Sequence, residues 1–317
     1  MDRAPEGLLL RLERVAERDL VALTLRRRKQ DALTAGERAT LLALVGTAKL
    51  EIIPLLNALG TCEALPPGST VTVTSSPSHG IEATVELAEK LATLGHTVIP
   101  HLSAHMIWTH QHLEDLLARL AEGGFRRVFV VGGDAQDHGD FHDGLSLLRA
   151  IDELGRPFDE IGVPSYPEGH PKISDERLLE VLLEKQRYAS YMTTQMGFNP
   201  TAIAAWIGRM RASGVTLPVH LGLPGVADLT KLMTIAARIG VADSARYLKK
   251  NRNLIGHVIK GRFGPDGLLR ELAPTLADPA ADVAALHVFT FNQVESTAAW
   301  QRGMLGSLSA GTGAGEV

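Results

Sequence analysis

The chain has 317 residues, of which 45% are hydrophobic and 21% charged, with a net charge of -4. That balance excludes a dominantly disordered chain, because apolar content is high and net charge small. A pI near 6.3 gives a nucleic-acid role no support. The one cysteine, Cys62, excludes an internal disulfide framework and any Cys-rich zinc or iron–sulfur site.

Apolar residues at Leu8, Leu9, Leu12, Val15, Leu20, Leu23 and Leu25 recur at helical intervals among charges. This opening lacks the apolar stretch of a secretory signal. No run approaches 18 apolar residues, so no membrane span is expected. The expectation is a cytoplasmic chain. The basic run Arg26–Lys29 reads as a solvated helix end rather than a nucleic-acid or membrane patch. Thr34 and Glu37 form a capping-box pattern ahead of a second helix ending near residue 46.

From residue 48 short β-rich runs alternate with amphipathic helices. Eight runs are expected as strands: Lys49–Pro54, Thr70–Ser75, Thr97–Ser103, Arg127–Gly132, Glu160–Ser165, Tyr191–Phe198, Leu217–Leu223 and Leu286–Asn292. Several are continuously apolar, as parallel strands buried on both faces are. Helices are expected at Ile81–Leu94, Leu113–Glu122, Asp140–Glu153, Asp175–Ala189 and Thr201–Ser213, with Gly95 and Gly214 as stops. The long connection from Val226 to Ala285 reads as two helices, Thr230–Ile239 and Ser244–Ile259, followed by a turn at Gly264–Gly267. Such a connection carries extra helices over one mouth of a barrel. The fold class is therefore α/β, a (β/α)8 TIM barrel with an N-terminal helical extension. Its divisions are an extension over 1–46, a barrel over 47–305 and a flexible Gly/Ser/Ala-rich tail over 306–317.

In a barrel the functional residues gather at the C-terminal ends of the strands. Those ends yield Glu51, Thr74, His101, Asp134, then Tyr166, Glu168 and His170, then Gln195, His220, Gly222 and Asn292. Glu51 stands among branched apolar residues, where desolvation favours the protonated carboxyl and suits a general acid. A strand carboxylate answered by an Arg or Lys across the barrel explains it equally well. Gly132-Gly133 before Asp134 lets a ligand approach the backbone; a turn with Asp134 as helix cap is the plainer reading. His101, His105, His110 and His112 lack the spacing of a metal motif, so no metal site is expected. Near His138 and His142, Asp137, Asp140 and Asp143 read as solvated charge. A Schiff-base lyase is disfavoured, because Lys49 precedes Glu51 and Lys172 lies in a loop.

The string Tyr166-Pro167-Glu168-Gly169-His170-Pro171 resembles a motif of the methylenetetrahydrofolate reductase family. The resemblance continues in order over roughly residues 48–305, through Lys49–Pro54, Val73-Thr74, Pro100-His101-Leu102-Ser103, Gly133-Asp134, Thr194-Gln195, Leu223-Pro224-Gly225 and His287–Asn292. It implies an oxidoreductase that interconverts 5,10-methylenetetrahydrofolate and 5-methyltetrahydrofolate in one-carbon metabolism and methionine biosynthesis. NADH or NADPH would reduce bound FAD, and the flavin would then pass hydride to the folate. Carried over by position, Glu51 would protonate the folate at N10, Asp134 would hold the pterin and tune hydride transfer, and Gln195 would bond the pterin edge. Thr74, His101, Gly133, Asp134, Tyr166 and His170 would line the flavin.

There are departures. Gly132 stands where the family has Arg, and Leu229 stands near a position commonly Phe. The helix before the sixth strand ends Gln186-Arg187-Tyr188-Ala189, leaving Arg187 as the obvious cation for the flavin diphosphate. Flavin-independent hydride transfer from NADH and a non-catalytic folate-binding barrel are the alternatives. The N-terminal helices would serve a homo-oligomer or a methyltransferase partner.

Overall fold

The structure, a computed structural model, describes residues 33–133, 135, 137–238 and 262–310. The apolar repeat at Leu8–Leu25, the helix expected at Ser244–Ile259 and Asp134 lie outside the described residues. The first described helix, α1 (Ala35–Gly46), opens on the expected capping box: Glu37 N donates to Thr34 Oγ1 at 3.2 Å, and Thr34 N donates to Glu37 Oε2 at 2.7 Å.

Eight parallel strands then close a barrel. They are β1 (Lys49–Ile52), β2 (Thr70–Val73), β3 (Thr97–Ser103), β4 (Arg127–Val131), β5 (Glu160–Ser165), β6 (Tyr191–Thr194), β7 (Val219–Pro224) and β8 (Val283–Phe289). Each pairs with its sequence neighbours, and β1 pairs with β8 in the register Lys49↔His287, Glu51↔Phe289. The outer helices are α2 (Ala58–Cys62), α3 (Gly80–Thr93), α4 (His110–Glu122), α5 (Gly144–Glu153), α6 (Asp175–Lys185), α7 (Pro200–Ala212), α8 (Leu229–Arg238), α9 (Asp266–Ala277) and α10 (Val294–Ala310). Gly95 (φ 85°) and Gly214 (φ 87°) carry the chain from α3 and α7 into the next strands in a conformation that disfavours a Cβ.

The expected (β/α)8 barrel is thus the observed one, with differences at element ends. β6 stops at Thr194 rather than Phe198. β8 spans Val283–Phe289 rather than Leu286–Asn292, because Phe291 (φ 51°) and Asn292 (φ 58°) take left-handed backbone and end the extension. Pro265-Asp266-Gly267, expected within a turn, opens α9, whose Leu268, Leu269, Leu272, Ala273 and Leu276 are buried on one face. The final helix continues through Ala310, past the expected start of the tail at 306, with Met304 and Leu308 buried along it.

α1 is part of the barrel's packing rather than an appendage. Leu41, Leu44 and Val45 belong to the same core as Leu50 and Ile52. Gln301 Nε2 donates to Val45 O at 2.7 Å, and Arg38 reaches Leu308 O at 3.2 Å. A second apolar cluster (Met196, Phe198, Ala227, Leu232, Ala236, Phe263) ties α8 and a two-stranded ribbon, Ala227–Asp228 with Arg262–Phe263, to Phe289 and Phe291 beyond β8. The described part of the long connection thus packs beside the C-terminal ends of β6 and β8.

Candidate active site

The C-terminal mouth opens into a cavity of about 1330 Å³, larger than the usual few hundred to 1,000 Å³ of a single small-ligand site. Its floor is set by β1. Alternation along Lys49–Ile52 turns Leu50 and Ile52 outward into the core and leaves Lys49 and Glu51 inside the barrel.

Glu51 is answered by His287, not by a cationic chain across the barrel. His287 Nε2 lies 3.0 Å from Glu51 Oε2, with side-chain exposures of 3% for His287 and 14% for Glu51. The imidazole is wedged against Phe289, with ring centroids 4.9 Å apart, and looks across at Phe129 and His101, each 6.4 Å away. The end of β1 is held too: Thr290 Oγ1 donates to Glu51 O at 2.5 Å. Asn292 accepts from Ile53 N at 2.8 Å and donates to Ile53 O at 2.9 Å. Asn292, expected as a site residue, is thus a clasp that fixes the segment carrying Glu51. His287 is absent from the expected site residues because a last strand placed three residues late, at Leu286–Asn292, puts Asn292 rather than His287 at its functional end.

His101 is buried beside Phe129, ring centroids 4.7 Å apart. Burial pushes its pKa down to about 4 against the opposing pull of Glu51, so the ring is neutral at pH 7. Its Nε2 has no hydrogen-bond partner among the described residues. Thr74, just past β2, lines the cavity. So do Tyr166 and His170, whose rings meet edge-on at 5.1 Å. Gln195 also lines it; its N donates to Ser165 O at 2.7 Å and its Oε1 accepts from Met196 N at 3.0 Å, which leaves the amide nitrogen to donate. Gly133 stands at the wall with φ 102°, and a Cβ there would overlap Ser103 Oγ. The cap of the helix after β4 is Asp143, which accepts from Leu145 N and Ser146 N.

Other expected residues lie elsewhere. His220 belongs to a lower layer with Lys49 and Tyr191: Lys49 Nζ is 3.2 Å from His220 Nδ1 and 4.4 Å from the Tyr191 ring centre, and the two rings stack at 3.8 Å. Desolvation brings Lys49 down to about 8 and holds His220 well below the usual histidine range. A Cβ on Gly222 would overlap Thr194 O, so that glycine serves strand contact. Leu229 packs in the second cluster, whereas Phe289 lines the cavity. His110 bonds Asp140 at 3.0 Å and His112 approaches Glu82 at 3.3 Å, both at the surface. Arg187 is exposed and lies off the cavity; the cations that line it from that helix are Arg177 and Lys185.

Fold and site together define a (β/α)8 barrel whose mouth presents a carboxyl–imidazole pair beneath a long, mixed polar and apolar cavity. The family model for Methylenetetrahydrofolate reductase matches residues 53–247, more than half of the chain, and the chain belongs to that family. Methylenetetrahydrofolate reductase 1 of Schizosaccharomyces pombe is 28% identical over 153 residues, 45% of this chain and 24% of that protein. Methylenetetrahydrofolate reductase 2 of Saccharomyces cerevisiae is 25% identical over 238 residues, 68% of this chain and 37% of that protein. The chain therefore spans well under half the length of these curated relatives. Among solved structures, a putative phosphonomutase from Burkholderia cenocepacia superposes with a TM-score of 0.44 at 13% identity, over 88% of this chain and 100% of that one. Glu51 and His287 fall outside the matched segment 53–247.

Proposed function

We propose that the chain interconverts 5,10-methylenetetrahydrofolate and 5-methyltetrahydrofolate with NADH or NADPH, using FAD held in the mouth cavity. The observation that carries this is the Glu51–His287 pair, buried at the floor of one cavity that Thr74, His101, Tyr166, His170 and Gln195 also line, in a chain of this family.

The cavity residues fit a flavin. The unpartnered His101 Nε2, the Cβ-free wall at Gly133 and the apolar face of α6 offer polar and apolar contacts to an elongated cofactor. Thr74, His101, Gly133, Tyr166 and His170 would hold it, and Lys172, Lys185 and Arg209 supply positive charge around the same space. When bound, the flavin supplies hydride to the folate methylene carbon and takes it from the nicotinamide. A cavity above single-ligand size accommodates a resident cofactor together with an exchanging second ligand.

The chain's own part is proton handling and orientation. Glu51 gives its proton to the folate N10, opening the imidazolidine ring, and His287 Nε2–H fixes the carboxyl and stabilises the carboxylate that results. Gln195 donates its amide to the pterin edge. Asp134, following Gly133, holds the pterin. Water is limited by α8 and the apolar cluster against Phe289. A cytoplasmic protein is the reading this chemistry fits. Among the described residues no helix is long and apolar enough to cross a membrane.

A second reading is direct hydride transfer from NADH without flavin. It is favoured by Gly132 and by the leucines of α6, where the resemblance calls for cations. One experiment addresses both: record the visible absorbance of the purified protein, then assay NAD(P)H-dependent folate turnover with and without added FAD. Turnover that depends on FAD supports the first reading, and flavin-free turnover the second. No folate binding and no turnover in either condition refutes both.

A further inference from the structure

The loop between β4 and α5 is fastened by histidines to the segment that follows β3. At the far end of the loop, Asp140 N donates to Trp108 O at 3.0 Å. The Asp140 carboxylate accepts from His110 N at 3.1 Å and from His110 Nδ1 at 3.0 Å. At the near end one residue makes every bond. His105, in the single turn Ala104–Met106, donates its backbone N–H to Gly132 O at 2.9 Å. Its ring Nδ1 lies 2.9 Å from Ala135 O, and its Nε2 lies 2.9 Å from His142 O. A Cβ on Gly133 would stand 3.2 Å from the His105 Cβ, so that glycine rests on the same residue.

Both ring partners are carbonyl oxygens, which only accept. A neutral imidazole carries one N–H and can make one of these bonds; the imidazolium carries two and makes both. His105 is half-buried at the wall of the mouth cavity, which His101, His142, Asp143 and Lys185 also line. The other titratable groups about it belong to the loop it fastens: His138, with ring centroids 5.3 Å apart, and Asp134, Asp137 and Asp140, the last paired with His110. His138 and His142 meet each other edge-on at 4.5 Å, and His105 holds the His142 backbone rather than its ring.

The stretch under this clasp is Gly132-Gly133-Asp134-Ala135. Two successive glycines give it a backbone with wide freedom. His105 removes that freedom from both ends, by its amide at Gly132 and by its ring at Ala135. The bond to His142 O closes the other side of the loop just ahead of the Asp143 cap of α5.

We propose that His105 is a positioning residue, whose imidazolium clasps the β4–α5 loop through Ala135 O and His142 O and thereby orders the backbone that carries Asp134. The use of this clasp in folate binding rests on the pterin-holding role proposed for Asp134; the clasp itself does not.

The test compares the full-length wild type with His105→Ala, His105→Asn, His105→Gln and His138→Gln. An asparagine amide nitrogen takes the place of Nδ1 and reaches Ala135 O, whereas a glutamine amide takes the place of Nε2 and reaches His142 O. Amide hydrogen exchange over residues 132–143 reads the clasp, and steady-state kinetics read its use. Losing a charge-assisted bond corresponds to roughly 10-fold or more. His105→Ala should speed exchange of the loop and raise the folate KM, each by about 10-fold, and leave the KM for NAD(P)H within about 2-fold. His105→Asn should bring both back to within about 3-fold of wild type. His105→Gln should leave most of the loss, because the Ala135 end is the one beside Asp134. In wild type the folate KM should rise as pH climbs through about 6 to 8 and the ring gives up its second N–H. His105→Asn should abolish that rise, and His138→Gln should keep it. Loop exchange unmoved in His105→Ala, a folate KM unmoved while exchange rises, or the pH-dependent rise persisting in His105→Asn would each overturn the proposal. A loop that loosens in His105→Ala and tightens again in His105→Asn, in a protein that turns over no folate, keeps the clasp and sinks the proposed reaction.

Discussion

Glu51→Gln separates proton delivery from every other step. A glutamine oxygen can still accept the 3.0 Å bond from His287 Nε2, and the clasp from Thr290 and Asn292 acts on the backbone of residues 51–53. The variant is therefore expected to fold, losing at most about 1–2 kcal/mol from a weakened bond to His287. Catalysis is different. A positioned general acid contributes roughly 10²–10⁴-fold, or about 3–5 kcal/mol of barrier. Stopped-flow measurement of flavin reduction by NAD(P)H should give a rate within a few-fold of wild type, while folate-dependent reoxidation falls by about 10² or more. Glu51→Asp keeps a carboxyl but withdraws it from His287, so it should fall between the two. Folate turnover in Glu51→Gln within about 10-fold of wild type would refute the role given to this residue.

Asn292→Ala removes two bonds, of 2.8 and 2.9 Å, to the Ile53 backbone and puts alanine at φ 58°; denaturant unfolding should show a loss of about 2–4 kcal/mol, together with reduced turnover. Gly133→Ala puts a Cβ into Ser103 Oγ at φ 102° and should cost about 1–3 kcal/mol or displace the wall, seen as lower thermal stability and weaker flavin binding. Lys49 gives a pH signature. Its folded pKa of about 8 lies below the ordinary lysine value of 10.5, so the unfolded chain holds the proton more tightly and stability should rise between about pH 8 and 10.5. The groups around Lys49 are Glu160, Arg127, Tyr191 and His220. Lys49→Met should flatten that rise and stabilise the protein at pH 7 by about 1–3 kcal/mol, read from urea unfolding at several pH values; an unchanged pH profile would count against the desolvation of Lys49.

Period and punctuation in the sequence determined the barrel. Short continuous apolar runs such as Val128–Val131, alternating with amphipathic helices, fit strands buried on both faces, and Gly95 and Gly214 mark the turns that return the chain to them. Polar residues at strand ends then marked much of the cavity lining, because a Glu or His in an apolar strand needs a partner or a purpose: Glu51, Thr74, His101, Tyr166, His170 and Gln195 all line one cavity. Tertiary structure decided which partner answers each of them. The pairing of Glu51 with His287 spans 236 residues and depends on β1 lying beside β8, the closure of the barrel, which no local pattern records. The same closure turned Asn292 into a clasp and put His220 beside Lys49, below the mouth. The expectation that Arg187 faces the cavity fails for a related reason. A helix end shows its charges in sequence, but only the packing of α6 against β4 and α5 shows that Lys185 points inward and Arg187 outward.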